Sequence, residues 1–437
     1  MKHQSLRQEF AKYVSLNIFG MIGVSCYILA DTFFIARGVG SAGLTALNLA
    51  IPAYSLMHGI GLMIGIGGAT RYSVCRAQND TEEADRIFTH AAFLALLVGI
   101  LALIIGAFAA GPLSRLLGAD DQTFFLTSNY LRILLCFGPA FVLNDVLTAF
   151  VRNDGAPRLA MMAMLIGSLT NIVLDYVLVF PCGLGIFGAA LATGLSPIIG
   201  IIVLSFHLRS DACRFRLEKQ KIRPRLFSAL CMPGISTLIN ELSTGFVLLM
   251  FNLVILRLAG NIGVAAYGVV ANVAIVGVSI FTGIAQGTQP LVSSYYGRGE
   301  THTLHRLFRY ALMLSLIIAT ALYLVIFLWA EPLTAAFNRE GDPVLTAFAV
   351  KGLRIYFLGF WCAGVNIISS AYFSAIEQTR QGFVLSLLRG LIANAPILLI
   401  LASVFHMNGV WATFPAVELV TALVTVLFSI RHFKKQA

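Results

Sequence analysis

The sequence predicts an all-α integral membrane protein of twelve transmembrane helices, arranged as two pseudo-symmetric six-helix lobes. Three observations predict it: a composition too apolar for water, twelve apolar stretches bounded by charge, and landmarks that recur after 220–222 residues.

Of the 437 residues, 58% are hydrophobic and 11% charged, with a mean hydropathy of +0.85. A soluble domain carries roughly 25% charged residues, so most of this chain does not face water. No interval is polar and long enough to form a separate soluble domain. The net charge of +10 would suit nucleic acid in a soluble protein. Here it is better assigned to the loop Lys and Arg that fix membrane orientation, and no nucleic-acid partner is expected. Cys26, Cys75, Cys136, Cys182, Cys213, Cys231 and Cys362 are scattered, with no Cys-x-x-Cys pair and no clustered His. Neither a disulfide framework nor a zinc site is expected, nor any cofactor. The first apolar segment is long, contains Asp31 and lacks a small-residue cleavage site, which argues against a cleavable signal peptide.

One helical crossing needs ~20 apolar residues. The candidate segments are 13–36, 44–71, 88–111, 126–151, 159–181, 185–207, 227–257, 264–295, 308–330, 345–375, 382–405 and 409–430. Several exceed a minimal span, which predicts tilt or kinks. With the N-terminus placed in the cytoplasm, the cytoplasmic segments hold 22 Lys and Arg, among them Lys2, Arg71, Arg152, Arg158 and Arg380. The outer loops hold 4: Arg37, Arg115, Arg257 and Arg339. That asymmetry satisfies the positive-inside rule and places both termini of this multi-pass protein in the cytoplasm. The basic interval 209–225 (RSDACRFRLEKQKIRPR) reads as a linker between an N-lobe, 1–208, and a C-lobe, 226–437. It fixes topology, with contact to anionic lipid headgroups as the alternative role.

The repeat supports that division. After 220 residues Arg37 falls on Arg257, Gly40 on Gly260, Gly67 on Gly287, Arg86 on Arg306 and Pro112-Leu113 on Pro332-Leu333; after 222, Arg132 falls on Arg354, Asn144 on Asn366 and Arg158 on Arg380. Six spans per half is an even number, so both halves insert with the same orientation and are related by an axis along the membrane normal. Transporters built this way bind substrate between the halves.

Carboxylates inside a membrane are costly and functional by default. Asp145 and Glu377 lie near span ends, where a side chain can also reach water. Glu418 lies well inside span twelve with no evident partner. Asp31 and Asp175 each sit six residues before the outer end of an outward-running span, at similar depth. Asn171, four residues before Asp175, shares its helix face, and Thr193 reaches a comparable level on span six. Two carboxylates, an amide and a hydroxyl make an oxygen-rich set suited to a small hard cation or to shared protons. As packing groups, they would simply bond neighbouring helices. In the second half Asp31 maps onto Phe251, and Asp175 onto Ile397 or Leu398, so the acidic pair belongs to one half only. Glu241 is the main acidic candidate in the other; Asn144, Gln286 and Gln289 are further polar candidates within spans. Glycines such as Gly67, Gly283 and Gly287, with Pro290, read as close-packing positions or hinges.

Several motifs stand in order along nearly the whole chain: ADTFFIARGVG (30–40), LTALNLAIP (44–52), GIGLMIGIGGAT (59–70), VRNDGAPR (151–158), NIVLD (171–175), GAALAT (188–193) and GIAQGTQPLVSSYYG (283–297). Together they resemble the MATE (multidrug and toxic compound extrusion) family. The resemblance implies drug/Na+ or drug/H+ antiport, small organic substrates, often cationic, and no enzymatic activity. It also implies a cation site built from Asp31, Asn171, Asp175 and Thr193, with a backbone carbonyl of Ala189 added. Another branch carries an acidic residue on helix seven, where Glu241 stands. Ser196-Pro197 departs from the family's more frequent Ser-Gln. A monomer among membrane lipids is expected. Two rivals are weighed. A lipid-linked precursor flippase or polysaccharide exporter would carry more basic residues within its spans. A polyprenyl transferase would need paired aspartates for Mg2+-diphosphate, and Asn144-Asp145 has no second aspartate so spaced.

Overall fold

The computed structural model describes residues 5–219, 221, 223–338 and 341–436. Lys2 and Arg339 of the charge count lie outside the described residues. The first half runs through α1 (Leu6–Gly38), α2 (Ser41–Ala77), α3 (Thr81–Leu116), α4 (Phe124–Cys136), α5 (Gly138–Asn153), α6 (Pro157–Val179) and α7 (Gly185–Leu208). The second half runs through α8 (Pro224–Cys231), α9 (Ile235–Gly297), α10 (Thr301–Phe337), α11 (Pro343–Tyr356), α12 (Phe360–Ala375), α13 (Thr379–Leu387) and α14 (Asn394–Gln436), with a π-helical turn at Leu388–Ile392.

Among the described residues nine helical stretches are long and apolar enough to cross a membrane, and the α4–α5 pair, bent by 49°, makes ten. Two of the nine are each two helices run together. α9 breaks at Gly260 (φ 62°, ψ −157°) and α14 at His406 (φ 51°, ψ −132°). Dividing both yields the twelve spans expected from sequence, in an all-helical multi-pass membrane protein.

Many helices outrun the apolar segments read from sequence, because polar caps close them beyond the hydrocarbon-length core. Ser5 and Gln8 form a reciprocal capping box on α1, and the Asp80 side chain accepts from the Glu83 N–H at 3.0 Å to start α3; both satisfy orphan N–H groups. Consequently Arg71, Arg76, Arg86, Arg152 and Arg158 ride on helix ends rather than in loops.

The internal repeat is written in the backbone. Gly40 and Gly260, both at positive φ (84° and 62°), separate the first two spans of each half at the 220-residue spacing. Asn79 (63°) and Gly299 (73°) repeat at the same spacing, Gly155 (92°) and Glu377 (58°) at 222, and Gly185 (52°) and His406 (51°) at 221. The buried apolar residues likewise form two large clusters, one drawn from positions 35–230 and one from 251–411, the latter joined by Phe10, Tyr13 and Val14 of α1.

The two halves meet along α2 and α1, which pack on α9. Ile51 neighbours Gly245, Gly59 neighbours Leu238 and Glu241, Met63 neighbours Gly234, and Gly67 neighbours Leu230, so α2 runs antiparallel to α8 and the first part of α9. The start of α1 lies on the later part of α9: a Cβ at Gly287 would come within 2.7 Å of the Val14 Cα. Only glycine lets the two backbones approach this closely. Polar ties cluster at the end that carries the linker. Arg152 Nη1 donates to Asn17 Oδ1 (2.9 Å) and Gln286 Oε1 (2.7 Å). Gln289 Nε2 donates to Thr70 Oγ1 (3.0 Å), and Asn153 Nδ2 to Gln289 Oε1 (3.1 Å). Arg71 pairs with Glu377 at 3.5 Å.

The described part of the linker is docked on the first half. Arg214 donates its backbone N–H (2.9 Å) and its Nε (3.1 Å) to Asp154, which also accepts from Tyr72 (2.6 Å) and bonds His207 Nε2 (2.8 Å). Phe215 is buried among the rings of Tyr72, Phe88, Phe150 and His207.

Candidate functional site

The four residues Asp31, Asn171, Asp175 and Thr193 come together at the bundle end opposite the linker. α1 places Asp31 seven residues before its end, α6 places Asp175 four residues before its end, and α7 places Thr193 eight residues after its start. At ~1.5 Å per residue these are similar depths. The helices pack closely enough to join them: a Cβ at Gly188 of α7 would touch the backbone of Leu178 on α6, at 2.8 Å.

Asp31 and Asp175 are neighbours, close enough for each carboxyl to act electrostatically on the other. The Asn171 amide is tied to Thr193 in either orientation. In one, Nδ2 donates to Thr193 Oγ1 at 3.4 Å. In the other, which satisfies both ends of the amide, it donates to Asp175 Oδ2 at 3.0 Å and accepts from the Thr193 N–H at 3.3 Å. Tyr130 of α4 is buried beside the group, close to Thr193 and the two carboxyls. Exposures of 8% for Asp31, 7% for Thr193 and 0% for Asn171 and Asp175 remove bulk water as a partner. Even so, Oδ1 of Asp31 and Oδ1 of Asp175 have no hydrogen-bond partner in their buried positions. Two adjacent anions in so dry a place repel strongly. A shared proton or a small cation between them relieves that repulsion and satisfies the orphaned oxygens. Ala189 is buried one turn before Thr193 on α7. The positions related to the acidic pair, Phe251 and Leu398, are buried and apolar.

The remaining candidates lie elsewhere. Gln286 and Gln289 belong to the ties between the halves at the linker end. Asn144 sits against Gly200, with its Oδ1 buried and unpartnered. Glu241 faces α2 beside Gly59, within electrostatic reach of His58 and Asp145. Asp145 pairs with His58 at 2.9 Å.

Sequence reasoning missed Tyr130, His58 and Arg152. Tyr130 carries no periodicity signal that separates it from a packing tyrosine. His58 is a histidine at the centre of a long apolar span, which was a visible signal. Arg152 was counted as a loop charge and is instead a buried bridge between halves.

The family model for MatE matches residues 17–177 and 237–400. The multidrug export protein MepA of Staphylococcus saprophyticus is 24% identical over 403 residues, which cover 92% of this chain and 88% of that protein. MepA of Staphylococcus aureus strain MRSA252 is 24% identical over 429 residues, covering 98% and 92%. A solved structure described as the outward-facing conformation of a multidrug resistance MATE family transporter of the MOP superfamily superposes with a TM-score of 0.92 at 23% identity, covering 99% of this chain and 97% of that one.

Proposed function

The chain belongs to the MatE (multidrug and toxic compound extrusion) family, and from that premise we propose that it is a transporter, not an enzyme, that exports small organic, often cationic, compounds in exchange for Na+ or H+. Lobes 1–208 and 226–437, joined by the linker 209–225, alternate access to the two sides of the bacterial cytoplasmic membrane. Both termini and the linker lie in the cytoplasm, and the protein acts as a monomer among lipids. Similarity to the staphylococcal multidrug export proteins supports the substrate class. The ties at the linker end support a state closed towards the cytoplasm.

The observation that carries the coupling is the orphaned pair of buried oxygens, Oδ1 of Asp31 and Oδ1 of Asp175. A bound proton or Na+ is held there by Asp31, Asp175, Asn171 and Thr193, with the Ala189 carbonyl as a further ligand. The ion drives transport only if it favours one lobe arrangement over the other. The test is ethidium efflux from cells lacking their own exporters, comparing wild type with Asp31→Asn and Asp175→Asn at equal membrane expression. Efflux by the wild type that both variants lose is expected. Repeating the assay with an imposed Na+ gradient at fixed pH, then with a pH gradient without Na+, identifies the ion. Loss in Glu241→Gln but in neither aspartate variant would move coupling to the second lobe. No wild-type efflux of several chemically distinct dyes would overturn the export reading.

A further inference from the structure

The structure carries a second group of titratable side chains, on the face between the halves, that the coupling site does not use. His58 lies near the middle of α2. Its Nδ1 is 2.9 Å from Asp145 Oδ2 on α5. Glu241 of α9 approaches from the other half, admitted by Gly59, where an added Cβ would stand 3.2 Å from that of Glu241. The electrostatic partners of His58 are Asp145 and Glu241, and those of Glu241 are His58 and Asp145. The other titratable groups facing the cluster are Tyr54 of α2 and Tyr27 of α1, whose hydroxyls are 3.2 Å apart. Aromatic rings wall it. Tyr54 stacks on the His58 ring at 5.5 Å and 14°, and Phe141 meets Tyr54 edge-on at 5.8 Å and 82°.

A carboxylate from each half, flanked by aromatic faces, is the chemistry that holds an organic cation. One imidazole stands among these groups, and it is the side chain whose charge changes most readily in the physiological pH range. We propose that His58 is a specificity-determining residue of export: as an imidazolium it takes, between Asp145 and Glu241, the place that a cationic substrate takes when the imidazole is neutral. Proton and organic cation then exclude each other on this face. His58 bonds Asp145 of its own half and as an imidazolium attracts Glu241 of the other, so substrate entry and the loosening of that attraction between the halves are one event. A structural role alone, His58 bracing α2 against α5, would require Asp145 but not Glu241. The proposal rests on the export reading above and adds to it the residue that selects for charge.

The test is equilibrium binding of ethidium to the purified full-length protein from about pH 6 to about pH 8.5. Asp31 and Asp175 contribute their own pH dependence, so the readout is the part of the wild-type slope that His58→Gln removes. Wild-type affinity is expected to fall about tenfold towards the acid end, and His58→Gln to hold that change to less than about twofold. His58→Lys, which keeps a positive charge throughout, is expected to bind ethidium weakly at every pH yet to bind an uncharged substrate as the wild type does. Glu241→Gln covers the case in which the His58 variants fail to fold: its loss of affinity is confined to the alkaline end. Wild-type binding and export with an undiminished pH slope in His58→Gln, or in Glu241→Gln if the His58 variants do not fold, would overturn this inference alone. Absence of ethidium binding and efflux in the wild type would overturn the export reading with it.

Discussion

Arg389 Nε donates to Glu418 Oε1 at 2.5 Å, and the two positions stand 222 residues after Gly167 and Ser196, which are themselves joined by a 2.7 Å hydrogen bond from Ser196 Oγ to the Gly167 carbonyl. The repeat therefore keeps the contact and changes its chemistry, from hydroxyl and carbonyl in the first half to guanidinium and carboxylate in the second. Asn366 Nδ2 donates to the other Glu418 oxygen at 2.8 Å while Asn366 Oδ1 accepts from the Thr425 hydroxyl at 2.8 Å, so the carboxylate is fully engaged. Breaking a buried ion pair by removing one partner is more costly than replacing both. Glu418→Gln should therefore destabilise the solubilised protein by about 2–4 kcal/mol, less than a wholly buried pair because the Arg389 side chain keeps 18% exposure. A thermal melt reads this directly. The double variant Arg389→Met/Glu418→Leu should recover most of the loss; equal damage in the single and double variants would refute the account.

Arg152 makes one of the ties between the two halves. It is buried, it belongs to the first half, and it donates to Gln286 of the second. Its acceptors here are the amide oxygens of Asn17 and Gln286 rather than a carboxylate. The guanidinium is thus held by neutral partners in a dry place, which keeps the net gain of the closed linker end small. Such a tie can be made and broken in each cycle. Arg152→Ala should shift the populations towards an open linker end by about 1–2 kcal/mol, a five- to thirtyfold change. Spin labels at Glu82→Cys and His302→Cys in a cysteine-free background, measured by pulsed dipolar spectroscopy, would report it as a longer distance. Arg152→Lys should fall between, because the ammonium keeps the charge and donors but sits on a shorter, flexible stem that does not place them where Nη1 meets both amide oxygens. An unchanged distance distribution in Arg152→Ala would remove Arg152 from the closing of this end.

The elements that sequence revealed and those it hid differ in physical kind. The spans were legible because water exclusion sets composition over twenty residues at a time. The repeat was legible in Gly40 and Gly260 because only a backbone position at positive φ holds glycine so firmly. Asp31, Asn171, Asp175 and Thr193 were legible as a group because depth along a helix can be counted from its end. Glu418 was visible as a misplaced charge, but its pairing with Arg389 depends on a π-helical turn and a register between α14 and its neighbours that no local pattern encodes. The repeat spacing offered the missing signal, since it carries Gly167 and Ser196 onto those two residues. Arg152 was hidden for the opposite reason: a charge at a span end has a sufficient explanation in topology.

Asn171 offers a test of the proposed coupling site that leaves both carboxylates in place. Its amide links Asp175 to Thr193, so Asn171→Ala should remove one ligand and free the Thr193 hydroxyl from one of its neighbours. The loss of one hydrogen bond to a charged group is worth about 1.5–3 kcal/mol. The Na+ or proton concentration needed for half-maximal ethidium efflux should rise about tenfold or more, with maximal efflux largely retained. Loss of maximal efflux with no change in the half-saturating concentration would make Asn171 a packing residue instead.

Asp154 anchors the linker, and its charge decides when that anchor holds. Burial on its own would raise this carboxyl; hydrogen bonds from His207 and Tyr72, and then the backbone N–H and guanidinium of Arg214, outweigh burial and hold it below the ordinary carboxylate value. A depressed folded-state value means that the stabilisation is fully present above the unfolded value, about 3.9, and is lost as pH falls through the lower folded value. The linker should therefore stay docked across the physiological range and release only in acid. The Arg214 amide, 2.9 Å from Asp154 Oδ2, gives a direct reading by hydrogen–deuterium exchange of the linker. After correction for intrinsic rates, its protection should be flat from about pH 8 to about pH 5 and fall only below about pH 4. Asp154→Ala strands several buried donors at about 1–3 kcal/mol and should lose the protection at every pH. A loss already complete at about pH 6 would place the titrating anchor on an imidazole, not on this carboxylate.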